Sequence, residues 1–346
     1  MKKLFFYSAV ALIAIVFSCC KKTEIKKFRV AFYNVENLFD TINDPGVNDG
    51  SFTPESKLHW NTYKYEHKLS GIAKVLTTLG DGELPVVVGL AEIENDRVLH
   101  DLIEKTSLKD GGYRFIHYES PDERGIDVAL LYRYDYFEPL FSRTYPVHFP
   151  FDTADRTRDL LYVKGVAFSG DTLHFLIDHW PSRYGGKEKS APKRNFAASL
   201  VRRIVDSIFT TNIRANIIVM GDLNDNPTDE SLTQILKTLK PGNITRYGEL
   251  YNLALPEYEK GKGTLYWKSW DLFDQIIVSG NILEGNMNLK LDPEKEQILK
   301  KDWMLYSRDD GVKVPSRTAG RNAYYGGYSD HLPVYITLGA GKPDGK

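Results

Sequence analysis

Five short segments of the 346-residue chain each set a carboxylate, amide or imidazole at the end of an apolar stretch: Tyr33-Asn34-Val35-Glu36-Asn37, Leu90-Ala91-Glu92-Ile93-Glu94, Asp178-His179-Trp180-Pro181-Ser182-Arg183, Gly221-Asp222-Leu223-Asn224-Asp225 and Ser329-Asp330-His331-Leu332-Pro333. Phe273-Asp274-Gln275-Ile276-Ile277 adds a sixth. Strand ends that face one edge can converge. If Glu36, Glu92, Asp222 and Asp330 do so, two carboxylates about 4 Å apart repel by roughly 4 kcal/mol at an effective dielectric near ~20, and something positive must sit between them. Oxygen donors with no cysteine and few histidines suit Mg²⁺, Mn²⁺ or Ca²⁺ rather than zinc. His331 contributes a group of intrinsic pKa near ~6.5, able to exchange a proton at working pH once a carboxylate fixes its tautomer.

Taken singly these segments are weak signals, because Asp and Asn favour turns for backbone reasons and Gly-Asp-x-Asn alone is more often a turn than a site. Their number and order carry more. Gly221-Asp222-Leu223-Asn224 followed far downstream by Ser329-Asp330-His331 resembles the endonuclease/exonuclease/phosphatase superfamily, which includes deoxyribonuclease I, the abasic-site endonucleases, neutral sphingomyelinases and inositol-polyphosphate phosphatases. The likeness covers nearly all of residues 28–337. It implies an α/β fold, a four-layer sandwich of two mixed β-sheets flanked by helices, and a Mg²⁺-dependent hydrolase of phosphate esters. It further implies that Glu92 is the principal metal ligand, that Asn34 assists, and that Glu36 and Asp330 complete or flank the metal site. Glu36 stands where some members carry Asp. Asp274 resembles the family's partner for His331, which acts as general base on water or as a positive contact to the phosphate. Asp222 and Asn224 would orient the nucleophile and the transition-state oxygens. The Asp-His-Trp-Pro-Ser-Arg context of His179 resembles the branch with a second catalytic histidine, as in deoxyribonuclease I, and not the abasic-site branch. A second imidazole could protonate the leaving oxygen, and Asp127 is a candidate partner for it.

A formal net charge of -1 supplies no global field for a polyanion, so phosphate contacts must be local. Arg183, Lys187, Lys189, Lys193 and Arg194 crowd one segment with only Glu188 against them, and Arg183 and Arg194 are the candidate phosphate contacts. A solvated loop leading into a helix accounts for the same residues equally well. Arg156 with Arg158, and Arg317 with Arg321 beside Tyr324, Tyr325 and Tyr328, offer further phosphate or stacking contacts.

The elements that must position these groups are legible in outline. Residues 28–39 and 85–93 are rich in apolar and β-branched side chains and are expected to be strands. Leu69, Ile72, Ala73, Leu76 and Leu79 follow helical spacing, with Gly80 as a stop. A helix is expected over about 96–104, strands over 113–118 and 126–132, and a hairpin from 160–168 and 172–178 across Ser169-Gly170-Asp171. A helix over about 192–208 and the strand 216–220 lead into Gly221-Asp222. The last strands are 272–279 and 332–337, with 281–328 between them as an insertion or long loops near the site. Residues 28–340 are expected to form one catalytic domain, and the chain as a whole is 42% hydrophobic and 26% charged, ordinary globular values.

Lys2 and Lys3 precede an apolar run, residues 4–17, that is short for a membrane span and suits a secretory signal peptide over 1–18. Val16-Phe17-Ser18-Cys19 resembles a bacterial lipobox, which implies a lipid on Cys19, a tether over 19–27 and an exported, membrane-anchored monomer. The expected partners are nucleic acid or another phosphodiester. Three functions follow: a nuclease or phosphodiesterase, a phosphatase or phospholipase-type enzyme acting on lipid headgroups or inositol and sugar phosphates, and a surface binding module that has lost catalysis. Retention of Asn34, Glu92, His179, Asp222, Asn224, Asp330 and His331 argues against the third.

Overall fold

The computed structural model of the protein describes residues 27–79, 83–242, 245–293 and 295–340. The expected signal peptide, Cys19, the tether as far as residue 26 and Gly80 lie outside the described residues. The chain runs β1 (Lys27–Leu38), α1 (Thr62–Thr78), β2 (Val87–Ile93), α2 (Asp96–Glu104), β3 (Tyr113–His117), β4 (Asp127–Arg133) and β5 (Phe137–Tyr145). It continues through β6 (Leu160–Ala167), β7 (Thr172–His179), α3 (Lys187–Thr211), β8 (Asn216–Asp222), β9 (Thr238–Leu239) and β10 (Leu250–Asn252). The last part holds β11 (Leu265–Tyr266), β12 (Trp270–Asp271), β13 (Asp274–Ser279), β14 (Leu289–Leu291), β15 (Gln297–Ile298), β16 (Leu305–Ser307), β17 (Lys313–Pro315) and β18 (Val334–Ala340).

Two seven-stranded sheets form. One has the order β14-β18-β1-β2-β4-β3, with β15 also on β18, and the other the order β5-β6-β7-β8-β13-β10-β9. Alternation of apolar side chains explains their stacking, since successive residues of a strand point to opposite faces. Phe28, Val30 and Phe32 of β1 meet Ile218 and Met220 of β8 in the core between the sheets. Ala31, Tyr33 and Val35 turn the other way, onto Leu69, Ile72 and Leu76 of α1 and Leu99 and Leu102 of α2. Ile217 and Val219 of β8 likewise cover Ala198, Val201 and Val205 of α3. The expected four layers, helices, sheet, sheet, helix, follow from these three cores.

Each of the first two helices is stopped from unravelling by an asparagine: the Asn61 side chain accepts the Lys64 N–H at 3.2 Å, and Asn95 accepts that of Val98 at 3.1 Å. Four expectations need adjustment. α3 starts at Lys187, so Pro192 lies inside it and not at its first turn. β5 adds an edge strand that the sequence pattern does not announce, because Pro139 interrupts it beside a register shift, and proline is tolerated at an edge. Pro333 has no N–H to give, and the last ladder begins only at Val334. The stretch 281–328 is not merely an insertion, because β14 and β15 both pair with β18 and extend the first sheet.

Candidate active site

The site lies where the ends of strands from both sheets meet. β1 and β2 are parallel, with Asn34 opposite Ala91, so Asn34 and Glu92 leave the first sheet at one edge. β7 and β8 are parallel with His179 opposite Asp222, and antiparallel β13 sets Asp274 opposite Asp222. Gly221 allows this tight approach: a Cβ there would stand 2.3 Å from the Asp178 carbonyl oxygen. Asp330 and His331 enter from the loop before β18. Glu36, Asn37, Glu92 and Asn224 all have left-handed backbones, with φ of 54, 54, 65 and 50°. Such conformations cost about 1–3 kcal/mol each and persist where surrounding contacts impose them; four clustered at these strand ends mark the place where geometry has been favoured over relaxation.

Asp222 is the centre of the arrangement. Its Oδ2 accepts the Asn34 side-chain N–H at 3.0 Å and lies 3.6 Å from His179 Nε2 and 3.7 Å from His331 Nε2, while Oδ1 accepts the Asn224 backbone N–H at 3.1 Å. His331 Nδ1 is 2.7 Å from Asp274 Oδ2, and His331 Nε2 is 4.0 Å from Asp330 Oδ1. The Ser329 hydroxyl donates to the Asn34 carbonyl at 2.7 Å and accepts the His331 N–H at 3.0 Å, which locks the loop onto β1. Asn224 is fixed by its own side-chain N–H on the Trp180 carbonyl at 2.9 Å.

The two histidines are electrostatic opposites. Burial works against a charge on His331, but the Asp274 and Asp222 carboxylates outweigh it and hold the imidazole well above its ordinary pKa. His179 is held well below, first by burial and then by the Arg158 and Arg124 guanidiniums. The surroundings therefore favour the charged form of His331 and the neutral form of His179. Burial, opposed by His331, raises Asp222 to about 6.

Glu92 is partly buried, which alone would favour its neutral form, yet Arg124, His331 and Arg158 hold its carboxyl below the usual range. One oxygen accepts the Asn37 N–H at 2.9 Å, and the other has the Arg124 guanidinium at 3.8 Å, beyond hydrogen-bond reach. That ionised, incompletely satisfied oxygen, the second lone pair of the Asn34 amide oxygen and the partly exposed Asp330 carboxylate make an all-oxygen donor set, which fits a hard divalent cation. Asp222, Asp274 and His331 also gather their ligand atoms within 4.8 Å of one another.

Several assignments from sequence are corrected. Glu36 flanks the metal donors without an oxygen to spare: its carboxylate takes the Arg317 Nε at 3.1 Å and the Thr318 N–H at 2.7 Å, so it anchors the 317–318 segment, and Arg317 reaches on to Asp330 at 3.0 Å. Burial and then Asp330 raise its carboxyl to about 7. Asp127 does not pair with His179; it faces His117, whose Nε2 lies 3.3 Å from Asp127 Oδ2, and His179 Nδ1 is left buried without a hydrogen-bond partner. Arg194 is 0% exposed and ion-paired to Asp225 at 2.8 Å, out of reach of any phosphate. Arg183 donates to the Asn224 carbonyl at 2.8 Å and to Asp225 and Asp229 at 3.1 and 2.7 Å, which makes it a brace for Asn224.

Two basic residues at the site were missed. Arg124 reaches Glu92 from a loop with no periodicity to mark it. Lys68 is buried, bonded to Thr318 Oγ1 and to the Tyr328 carbonyl, and burial lowers it to about 8 against the pull of Glu36 and Asp330. Its signal was available: Lys68 lies three residues after Tyr65 and four before Ile72, on the apolar stripe of α1. Arg158, offered from sequence as a phosphate contact, is buried on Asp122 at 3.0 Å and the Trp180 carbonyl at 2.8 Å.

No curated protein matches the sequence of this chain. Among solved structures, an endonuclease/exonuclease/phosphatase family protein from Bacteroides thetaiotaomicron is 17% identical with a TM-score of 0.56, covering 92% of this chain and 100% of that one. The mannosyl-6-phosphatase Bt3783 of the same organism is 18% identical, TM-score 0.55, over 90% and 99% of the two chains. D. rerio TDP2 complexed with single strand DNA product is 16% identical, TM-score 0.54, over 90% and 98%. At these identities the likeness establishes a shared fold. The sequence profile of the endonuclease/exonuclease/phosphatase family matches residues 29–340, and the chain belongs to that family, a hydrolase of phosphate esters.

Proposed function

We propose that this hydrolase is an exported phosphodiesterase that cleaves nucleic acid with Mg²⁺, works as a monomer, and is held at a membrane by lipid on Cys19. The observation that carries the catalytic part is the placement of His331 and His179 at 3.7 and 3.6 Å from one oxygen of Asp222, with the charged form favoured at the first ring and the neutral form at the second. Glu92, Asn34 and Asp330 would hold the ion, which when bound neutralises charge on the phosphate. Asp222 accepts the proton of an attacking water at Oδ2, oriented by Asn34 and Asn224. His331 donates from Nε2 to a phosphoryl oxygen, with Asp274 balancing its charge. His179, neutral, donates a hydrogen bond from Nε2 and stabilises the transition state, and the leaving oxygen takes its proton from solvent water as the bond to phosphorus breaks.

Exposed aromatics beside the site favour a polynucleotide. Trp267 is 72% exposed in the turn between β11 and β12, and Leu265 of that hairpin bridges to His331. Tyr184, 93% exposed, follows His179 by five residues. Rings of this kind stack on bases without regard to sequence. The DNA product held by the D. rerio protein of the same fold supports this reading. The mannosyl-6-phosphatase fold neighbour supports a second one, a phosphomonoesterase on sugar phosphates. The chain lacking its first nineteen residues, assayed with Mg²⁺ on plasmid DNA, RNA, sphingomyelin, inositol phosphates and mannose 6-phosphate, separates them. Faster hydrolysis of nucleic acid is expected; turnover of a monoester or lipid alone would overturn the substrate assignment.

A further inference from the structure

A second group of oxygen donors sits beside the catalytic centre but outside it. Asp44, Asp49 and Glu94 bring one ligand atom each within 4.8 Å of one another. Asp49 and Glu94 are 1% and 4% exposed. One oxygen of each accepts a backbone amide, Asp49 that of Asp44 at 2.7 Å and Glu94 that of Asp40 at 2.6 Å. The other oxygens, Asp49 Oδ1 and Glu94 Oε1, are buried with no hydrogen-bond partner. Among the described residues no lysine, arginine or histidine pairs with any of the three; the neighbouring Arg97 is taken by Asp40 at 2.5 Å. Buried carboxylate oxygens this close repel, and an unsatisfied one loses its hydration with nothing in return. A cation resolves both defects.

We propose that Asp44, Asp49 and Glu94 form a calcium site that ties the loop after β1 to the loop after β2. The donors are all carboxylate oxygens, and two of the three come from an irregular segment, residues 40–50, that also carries Asn43, Gly46 and Asn48; Ca²⁺ accepts six to eight oxygens in flexible geometry, whereas Mg²⁺ demands a near-ideal octahedron and keeps its waters. The site is separate from the catalytic donors, because Glu92 turns to Asn37 and Arg124 while Glu94 turns to Asp40. Both strands it joins, β1 and β2, carry catalytic groups, so the ion would hold Asn34 and Glu92 in register from behind.

The test is CaCl₂ added to the full chain in saturating Mg²⁺, followed by calorimetric titration and by thermal unfolding, in the wild type and in Glu92→Gln, which removes the catalytic ligand. The expected result is one Ca²⁺ per chain in both, with the unfolding midpoint raised on the order of 2–4 °C. Asp44→Asn should weaken binding at least about tenfold, the effect of losing one charged ligand worth roughly a single factor of ten, and Asp49→Asn should abolish it. Asp44 is partly exposed and decides the matter should the Asp49 variant not fold. Calcium binding unchanged in Asp44→Asn, binding that disappears in Glu92→Gln, or an equal response to Mg²⁺ alone would overturn the proposal.

Discussion

His331 Nδ1 stands 2.7 Å from Asp274 Oδ2, and the two residues belong to different sheets: Asp274 opens β13 of one, and His331 lies in the loop before β18 of the other. This hydrogen bond crosses the sandwich at the mouth of the site. It fixes which nitrogen of His331 faces Asp222 and keeps the ring charged. Asp274→Asn should lower kcat by about 10–100-fold, the range typical of removing a group that orients a working side chain. Its sign in pH is definite. The charged ring is the donor, so activity falls as pH rises through the His331 pKa, and without Asp274 that fall should move to lower pH. A pH–rate profile of the variant checks this.

His331→Ala and His179→Ala should each lower kcat by at least about 100-fold. Only the His331 change should remove the alkaline fall, because His179 is neutral throughout the working range. Steady-state assays across pH separate the two.

Asp178 gives a prediction on stability. Burial raises its carboxyl to about 7 despite the Trp180 indole N–H at 3.2 Å, and its second oxygen has no partner. The pKa is higher in the folded chain than in the unfolded one, so between about pH 4 and 7 the folded state binds more protons, and stability falls as pH rises through that window. Asp178→Asn should flatten this slope. Thermal unfolding at pH 5 and pH 8 should show a smaller difference in the variant than in the wild type.

Arg194→Met should lower stability by about 1–3 kcal/mol, since the buried Asp225 carboxylate loses one of its two arginines and keeps Arg183. KM for any phosphodiester should stay unchanged. A rise in KM without loss of stability would return Arg194 to the substrate.

What the sequence reveals and what it conceals divide along physical lines. The apolar runs of β1, β2 and β8 and the alternation within them announce two-sided burial, and a carboxylate or imidazole at the end of such a run must emerge at a sheet edge; Asn34, Glu92, Asp222 and His331 are found together for that reason. Partner choice is another matter. Arg183, Arg194 and Glu36 are long side chains whose targets, Asn224, Asp225 and Thr318, come from segments brought close only by the tertiary fold. Asp127 opens β4, and the residue beside it is not His179 but His117 on the adjacent strand β3. The 40–50 segment reads as an ordinary polar loop until Glu94 is placed against it.

The proposal that Glu92, Asn34 and Asp330 hold one divalent cation beside Asp222 and His331 is tested most directly by a Mg²⁺ titration of phosphodiester hydrolysis after chelation, in the wild type and in Glu92→Gln. Full recovery is expected in the wild type, with half-saturation in Glu92→Gln moved to at least about tenfold higher Mg²⁺, one lost charged ligand being worth roughly that factor. Equal recovery in both proteins, or activity that survives chelation, would contradict it.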